Sequence, residues 1–182
     1  MTAIAPPSRS TGAPRIPISL HRWVTIRPIE SSDADGLFAF YGGLSARARY
    51  ARFLGICPGI DAATAQNFAT VDHTTREGLV AVMHCAGPDD GAIVGHACLE
   101  ADGRGVEEVA FAVADDLQGR SIGSALMHEA IRSARQRGIH QLTGTTFAQN
   151  TAMRRLVYSA GPPFTVSAQP PGLEEFRLDI AA

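Results

Sequence analysis

The glycine-bearing segment from Gln118 to Ser124 is the part of the sequence best suited to binding a ligand. It follows an apolar run that ends at Val113 and leads into the strongest helical repeat of the chain. The first turn of a helix leaves about four backbone N–H groups without acceptors and carries roughly half a positive charge. Gly119 and Gly123 would let an anion approach the backbone, and Arg120 could add a charged contact. The segment predicts an anion site, with a diphosphate as the obvious ligand.

The same pattern has a plainer interpretation. A strand, a short turn with two glycines and a helix also occur together in proteins that bind nothing at that position. The GxGxxG sequence is absent, so the segment gives little support to dinucleotide binding.

All sixteen basic residues are arginine, because the sequence contains no lysine. This absence excludes a P-loop lysine, a pyridoxal Schiff base and a Ser-x-x-Lys nucleophile. A formal net charge of -2 provides no field that would attract nucleic acid or anionic lipid, so phosphate must be held locally. The cysteines, Cys57, Cys85 and Cys98, are odd in number and lack CxxC spacing, which argues against a disulfide framework and a zinc site.

The first twenty residues are rich in Pro, Ser and Thr. They predict a disordered tail over residues 1–20, followed by a single domain over residues 21–182. No apolar run is long enough for a secretory signal or for a membrane span of about 18 residues. We therefore expect a cytoplasmic protein with no membrane or nucleic-acid partner.

Hydrophobic periodicity predicts alternating strands and helices, and therefore an α/β protein. The predicted strands are residues 23–27, 78–85, 92–99, 106–113, 142–147 and 176–180. The predicted helices are residues 34–43, 46–54, a short one after Asp61, 119–137 and 151–160. Ser31 to Asp33, Ser45 and Asp61 are expected to cap helices at their starts, and Gly138 ends the longest one.

Two motifs give the chain a resemblance to a known family. The run from Glu108 to Val113, followed by Asp115 to Gly123, resembles motif A of the GNAT acetyltransferases. Asn150, followed by Met153, Leu156 and Gly161, looks like motif B at the family's usual distance. The resemblance implies an α/β GNAT fold, in which helices flank a mixed, mostly antiparallel sheet of about six or seven strands.

Upstream residues are similar to the bacterial protein acetyltransferase (Pat-like) branch of this family. They are Gly43-Leu44-Ser45, Tyr50, Arg52-Phe53, Val71-Asp72-His73 and Arg76-Glu77. This likeness implies transfer of an acetyl group from acetyl-CoA to a lysine of another protein, such as an acyl-CoA synthetase. Some Pat-like proteins carry a fused synthetase-like or cyclic-nucleotide-binding module, and here we expect a bare catalytic domain, whose oligomeric state stays open.

The resemblance also implies positions for the cofactor. It places the pantetheine arm along the strand backbone of Phe111, Ala112 and Val113, because an amide-rich chain can add to a splayed strand as a peptide would. It places the pyrophosphate on the turn formed by Gln118, Gly119, Arg120, Ser121, Ile122, Gly123 and Ser124. Asn150 would contact the cofactor's arm. Ser121 stands where the family usually has glycine, and a serine is tolerable there if the residue keeps ordinary helical angles.

Glu108 is the expected general base. An alkylammonium has a pKa near 10.4, so the acceptor amine must lose a proton before its nitrogen attacks the thioester. Strand alternation puts only one of Glu107 and Glu108 on the substrate face, and the resemblance selects Glu108. The oxyanion of the tetrahedral intermediate would then be held by a strand N–H near Val113.

One departure from the family concerns the leaving group. Val157 occupies the position where many GNAT enzymes have a tyrosine that protonates the departing thiolate, and Tyr158 points about 100° away on the helix. A thiol with a pKa near 8.5 can leave as the thiolate, so we expect catalysis without that tyrosine.

Several alternatives stay open. His73 could act as a second base or could simply be bonded to Asp72. His84 and His96 could face each other on adjacent strands, but no third ligand is evident, so we expect no metal. Arg47, Arg49 and Arg52 could be a solvated helix face or could meet an acidic patch of a protein substrate. An acetyltransferase for small amines or protein N-termini and a non-catalytic acyl-CoA sensor are the rival functions.

Overall fold

The computed structural model describes residues 15–181, which form one sheet of eight strands with five α-helices against it. The strands are β1 (Ile16–Ser19), β2 (Arg22–Pro28), β3 (Arg76–Cys85), β4 (Ile93–Ala101), β5 (Val106–Val113), β6 (Gln141–Phe147), β7 (Phe164–Gln169) and β8 (Leu173–Asp179). The helices are α1 (Ala34–Gly43), α2 (Ala46–Phe53), α3 (Ala62–Ala69), α4 (Ile122–Gln136) and α5 (Thr151–Ser159).

The strand order across the sheet is β1-β2-β3-β4-β5-β6-β8-β7. Only β5 and β6 pair in parallel, and the other neighbours are antiparallel. The predicted mixed, mostly antiparallel sheet is confirmed, with eight strands rather than six or seven. The two unpredicted strands are the edges β1 and β7; most of β7 is exposed, so it lacks the alternation that marks a strand facing a core.

Strand β1 lies within the segment predicted as a tail. Ile16 pairs with Val24 of β2, and Ile16 and Ile18 pack against the hydrophobic core. The tail prediction is therefore wrong for Ile16–Ser19, since Pro17 is acceptable on an edge strand, where its missing N–H need not bond to a neighbour. Residues 1–14 of the predicted tail lie outside the described residues.

The sheet has a hydrophobic core on each side. On one side, which we call the α4 face, α4 and α5 pack against the strands, with Leu126, Met127 and Ala130 fully buried. On the other side, the α1 face, Leu37 and Tyr41 of α1 and residues of α2 and α3 cover β3 and β4. Helix α2 reaches the end of β6 on the α1 face, where Tyr50 stacks on Phe147, and this part of the face borders the candidate site.

Most of the predicted helix caps are present. The Ser45 hydroxyl accepts a hydrogen bond from Ala48 N at 3.1 Å, and Asp61 accepts one from Thr64 N at 2.7 Å. Gly138 follows α4 with a φ of +79°, as a C-cap glycine should. Asp33 is the N-cap residue of α1, as predicted, but its carboxylate caps the short 3₁₀ turn before α1 instead: it accepts from Glu30 N at 2.8 Å and from the Arg27 guanidinium at 2.7 Å.

Candidate active site

Strands β5 and β6 run together for a short distance and then separate. Their pairing begins at Val106 with Gln141 and ends at Glu108 with Thr143, whereas β6 keeps its pairing with β8 along its whole length. At Gly144, an added Cβ would lie 2.8 Å from the carbonyl oxygen of Val109 and 2.4 Å from the Phe176 ring. Only glycine permits this close approach, and beyond it the sheet contains a gap between two neighbouring strands.

The backbone of β5 is unpaired on the side that faces this gap. Asp102 N donates to Val106 O and Ala114 N donates to Val94 O, so the even-numbered residues of β5 form the hydrogen-bonded pairs with β4. The N–H and C=O groups of Phe111 and Val113 therefore point toward β6, beyond the last paired residue. Ala112 bonds toward β4 and is itself buried. The gap thus offers the backbone of two residues to an extended, amide-bearing ligand.

The turn that follows β5 brings helix α4 to the mouth of the gap. Ala125 N donates to Ser121 O, so the amides of Ser121, Ile122, Gly123 and Ser124 precede the first hydrogen bond of the helix. A Cβ added to Gly123 would lie 3.9 Å from a methyl carbon of Leu156 and 4.0 Å from one of Val113, so Gly123 is open toward the space between β5 and α5. Ile122 is buried and contributes only its backbone.

Ser121 has a backbone conformation that the sequence did not predict. Its φ of +64° lies in the left-handed region, as does the φ of +74° at Gly119. The condition of ordinary helical angles, under which a serine would be tolerable at this position, is therefore not met. It is the N-cap residue of α4, and its side chain makes no capping hydrogen bond. The family's glycine preference at this position has a direct cause, since a side chain is strained there.

Two side chains of the turn bond to backbone carbonyls. The Gln118 amide donates to Val113 O at 3.3 Å, on the side of β5 that faces the gap. The Arg120 guanidinium donates to Ile18 O of β1 at 3.2 Å. The predicted contact of Arg120 with a phosphate stays a prediction.

Asn150 is the N-cap of α5, on the other side of the gap. Its side-chain oxygen accepts a hydrogen bond from Met153 N at 3.1 Å, and its own N–H donates to Phe147 O at 2.8 Å. The side-chain NH₂ is not used by these bonds. Asn150 therefore fixes the start of α5 where β6 ends, and it keeps a donor for a ligand in the gap.

Glu107 and Glu108 have opposite environments. Glu107 lies on the α4 face with no exposed surface, and both of its oxygens bond to the Arg137 guanidinium. Glu108 lies on the α1 face and is exposed, and no side chain among the described residues bonds to its carboxylate. Its strand partners are Glu100 on β4 and Thr143 on β6, at the point where β5 and β6 separate. The carboxylate can accept a proton from a group at the entrance to the gap.

His73 is not close to Glu108. Its Nδ1 lies 2.8 Å from Glu77, a buried carboxylate that also accepts bonds from Ser133 Oγ and Gly78 N on the α4 face. Asp72 does not bond to His73; it accepts bonds from Thr75 and from backbone amides, and these hold the pKa of Asp72 well below its usual range. His73 therefore belongs to a cluster at one end of the sheet.

Val157 points into the core. It is buried on the α4 face, where Phe176 also packs, and Tyr158 is 61% exposed with its ring against Phe164. Tyr158 thus faces away from the core position that Val157 fills, as the helical spacing predicts.

Pairing of the two strand histidines does not occur. His84 bonds to Thr25 Oγ1 at 2.8 Å and stacks on Trp23, whereas His96 bonds to Tyr41 and pairs across the strands with Val80. No cluster of potential metal ligands occurs within residues 15–181.

A buried polar cluster beside Glu108 was missed by the sequence reasoning. Arg52, treated as part of a solvated helix face, instead turns toward the sheet and donates to Cys98 Sγ at 2.7 Å. Tyr41 Oη and His96 Nδ1 are 2.9 Å apart in the same region. The sequence did contain an indication that Arg52 faces the sheet. The small apolar residue Ala48 lies four positions earlier on the same face of α2, and Ala48 packs on the core.

The cluster is neutral except for Arg52. Burial and the guanidinium of Arg52 lower the pKa of His96 to about 3, so its imidazole is uncharged. Burial raises the pKa of Tyr41 to about 12 and also raises the pKa of Cys98. A protonated thiol is a poor nucleophile, so Cys98 is unsuited to carry an acyl group.

Helix α2 is anchored to the turn and to β6. The Ser45 N and Oγ donate to the Asp115 carboxylate at 2.9 and 2.6 Å, just before the glycine-bearing turn. The Tyr50 ring stacks on Phe147 at the end of β6, with centroids 4.9 Å apart. These contacts place α2 across the α1-face side of the gap.

Known proteins share this arrangement. Residues 59–161 match the acetyltransferase (GNAT) family. The chain is 29% identical over 150 residues to acetyltransferase Pat of Mycolicibacterium smegmatis, covering 80% of this chain and 44% of that protein. The chain thus spans less than half of that relative.

Two solved structures have folds similar to that of this chain. The GNAT domain of S. lividans PAT is 28% identical, with a TM-score of 0.76 over 86% of this chain and 90% of that one. The acetyl-CoA complex of yncA from Salmonella typhimurium, described as a putative acetyltransferase, shares the fold at 24% identity, with a TM-score of 0.69 over 87% and 94% of the two chains. No helix within residues 15–181 has the length and apolar character of a membrane span. The gap between β5 and β6, the start of α4 at its mouth and these matches agree, and the chain belongs to the acetyltransferase (GNAT) family.

Proposed function

We propose that this protein transfers the acetyl group of acetyl-CoA to a lysine side chain of another protein, with Glu108 as the general base. The observation that carries the proposal is the position of Glu108, an exposed carboxylate at the last paired residue of β5 before the gap. The choice of a protein lysine, with an acyl-CoA synthetase as an example, rests on the resemblance of the upstream residues to the Pat-like branch.

The cofactor would fill the gap between β5 and β6. Its pantetheine amides would bond to the free N–H and C=O groups of Phe111 and Val113, replacing the Gln118 side chain on Val113 O. Its pyrophosphate would bind the amides from Gly119 to Ser124, where the helix dipole favours negative charge. The free NH₂ group of Asn150 would contact the arm from the α5 side. This placement brings the thioester to the end of the gap, near Glu108.

The chemistry would be a direct transfer. Glu108, directly or through one water, accepts a proton from the ammonium of the acceptor, and the amine nitrogen then forms a bond to the thioester carbon. A backbone N–H of β5 that the pantetheine arm leaves free stabilises the oxyanion that develops on the acetyl oxygen. The carbon–sulfur bond breaks and CoA leaves as the thiolate; the nitrogen loses its second proton to water as the amide forms, and a proton from water neutralises the thiolate. Val157 donates nothing in this scheme, which is consistent with its burial.

The compartment follows from the co-substrate. We place the protein in the cytoplasm, where acetyl-CoA and acyl-CoA synthetases meet.

We place the catalytic domain from β1 to the end of the chain, because β1 completes the sheet.

The test is an acetyl-transfer assay with purified acyl-CoA synthetase as the acceptor, read by thiol release and by mass spectrometry of the acceptor. Because the chain contains no lysine, acetyl-lysine found in the reaction must come from the acceptor. We expect acetylated lysine with the parent protein and roughly 100-fold less or lower still with Glu108→Gln. Tight binding of acetyl-CoA without thiol release to any amine would instead favour a non-catalytic sensor.

A further inference from the structure

An unpaired guanidinium lies beside the proposed base. Arg52 makes no ion pair among residues 15–181, and its Nε is buried without a hydrogen-bond partner. Residues 1–14 contain no Asp or Glu, so no acidic side chain there can pair with it. Buried cations are normally paired with a carboxylate, and leaving one unpaired is unfavourable.

The surroundings of Arg52 supply only uncharged partners. Its guanidinium donates to the Cys98 sulfur, has the Tyr41 hydroxyl within hydrogen-bonding range, and lies over the rings of Phe53 and Phe68, with centroids at 5.1 and 5.9 Å. Cation–π contacts stabilise a guanidinium but leave its charge and most of its five N–H donors available.

The strand register relates Arg52 to Glu108. Cys98 is directly opposite Ala110, and Glu100 is directly opposite Glu108, so Cys98 and Glu108 have their side chains on the same α1 face. The two positions form a diagonal pair, two residues along and one strand across, at about 7–8 Å. Glu100 lies 3.5 Å from Arg76, whereas Glu108 has no cation partner among the described residues. One free carboxylate and one free guanidinium thus lie close together where the acceptor must bind.

We propose that Arg52 binds a carboxylate of the acceptor while Glu108 binds its amine, so that preferred acceptors carry an acid group close to the nitrogen that is acetylated. This inference rests on the proposed function. Charge-assisted hydrogen bonds of about 2.8 Å at each end leave room for a short spacer between ammonium and carboxylate. Two acceptors have this chemistry, a free amino acid and a protein lysine with an acidic neighbour.

The test compares acceptors that differ only in the acid group. The first pair is leucine and leucinamide, and the second is a lysine peptide with Asp or Asn next to the lysine. We expect the acidic member of one pair to have a kcat/KM about 10- to 100-fold higher. The pair that shows the difference identifies the source of the carboxylate.

The variant Arg52→Gln should abolish this preference by raising KM for the acidic acceptor, with little change for the neutral one. The matched control is Arg47→Gln, on the exposed side of the same helix, which should keep the preference. Equal rates for the members of both pairs, or an equal loss for acidic and neutral acceptors in Arg52→Gln, would show that Arg52 only supports the fold. A preference for succinyl-CoA over acetyl-CoA that depends on Arg52 would place the carboxylate on the acyl group and overturn the assignment.

A binding measurement keeps the proposal testable if Arg52→Gln does not fold or if no acetyl transfer is found. Leucine or the Asp peptide, added to the parent protein without acetyl-CoA, should raise its melting temperature more than the amide or the Asn peptide does. This result would support the carboxylate site even if the proposed reaction failed. The same melting temperature for all four probes would refute the site independently of catalysis.

Discussion

Glu107 and Glu108 are consecutive residues of β5, yet Glu107 is fully buried against Arg137 whereas Glu108 is exposed beside the gap between β5 and β6. Strand alternation alone separates them by the thickness of the sheet. The two carboxylates therefore differ in their environments, and we expect substitution of each by glutamine to separate stability from catalysis.

Glu108→Gln should lower kcat by roughly 100- to 10,000-fold, the range for loss of a general base. Its melting temperature and its affinity for acetyl-CoA should match those of the parent, because the side chain is exposed and unpaired. Thiol-release kinetics and calorimetric titration with acetyl-CoA measure the two quantities. Turnover close to that of the parent would reject Glu108 as the base.

Glu107→Gln should lower the free energy of unfolding by about 3–5 kcal/mol, since it leaves the Arg137 guanidinium without its counter-ion. Urea denaturation measures this change. If the variant is as stable as the parent but inactive, the functions of the two glutamates have been exchanged in our assignment.

Ser121→Gly should stabilise the protein by about 0.5–1 kcal/mol, because glycine adopts a φ of +64° without the strain that a side chain meets there. The matched control is Ser124→Gly in the first turn of α4, which should destabilise by about 1 kcal/mol. Both are measured by urea denaturation without cofactor. Destabilisation by Ser121→Gly would mean that the serine hydroxyl contributes more than the backbone strain removes.

Stability should fall as the solution is made acidic, through His96. Burial and Arg52 lower its pKa to about 3 in the folded protein, and an unfolded histidine has a pKa near 6.5. Between these two pKa values the unfolded state binds more protons than the folded state. The contribution of His96 to the free energy of unfolding is therefore fully present above about pH 6.5, and it decreases by about 1.4 kcal/mol per pH unit toward pH 3. Urea denaturation at several pH values from 7.5 to 5 checks the slope. His96→Asn should flatten it, and His128→Asn, on the exposed side of α4, should leave it unchanged.

Acetyl-CoA should slow amide hydrogen exchange at Phe111 and Val113, whose N–H groups face the gap. The amides of Ala110 and Ala112 already bond to β4 and serve as internal controls, with similar protection in both samples. Residue-resolved exchange with and without the cofactor gives the comparison. Unchanged exchange at Phe111 and Val113 would place the pantetheine arm elsewhere.

Much of the fold could be predicted from local patterns. Strands β3, β4 and β5 contain long apolar runs, and α4 has a clear helical repeat, so the hydrophobic pattern alone identifies them. The edge strands β1 and β7 could not be predicted in this way. Their ladder hydrogen bonds depend on neighbours distant in sequence, and few of their side chains are buried.

The candidate site divides in a similar way. The turn and Glu108 lie within one contiguous motif, so the sequence contains both. Arg52 and Cys98 are 46 residues apart, and only the packing of α2 on the α1 face brings them together. The positive φ of Ser121 also could not be predicted from the sequence, because a serine gives no local indication of a left-handed conformation.

The gap between β5 and β6 has a consequence for turnover. The arm that would bond to Phe111 and Val113 is the same in acetyl-CoA and in CoA, so acetyl transfer removes none of the contacts that hold the arm. CoA would therefore dissociate only after all of these backbone contacts have broken. Free CoA should also compete with acetyl-CoA for the gap when the two are at comparable concentrations. In this enzyme, release of the spent carrier would limit the rate at saturating acceptor.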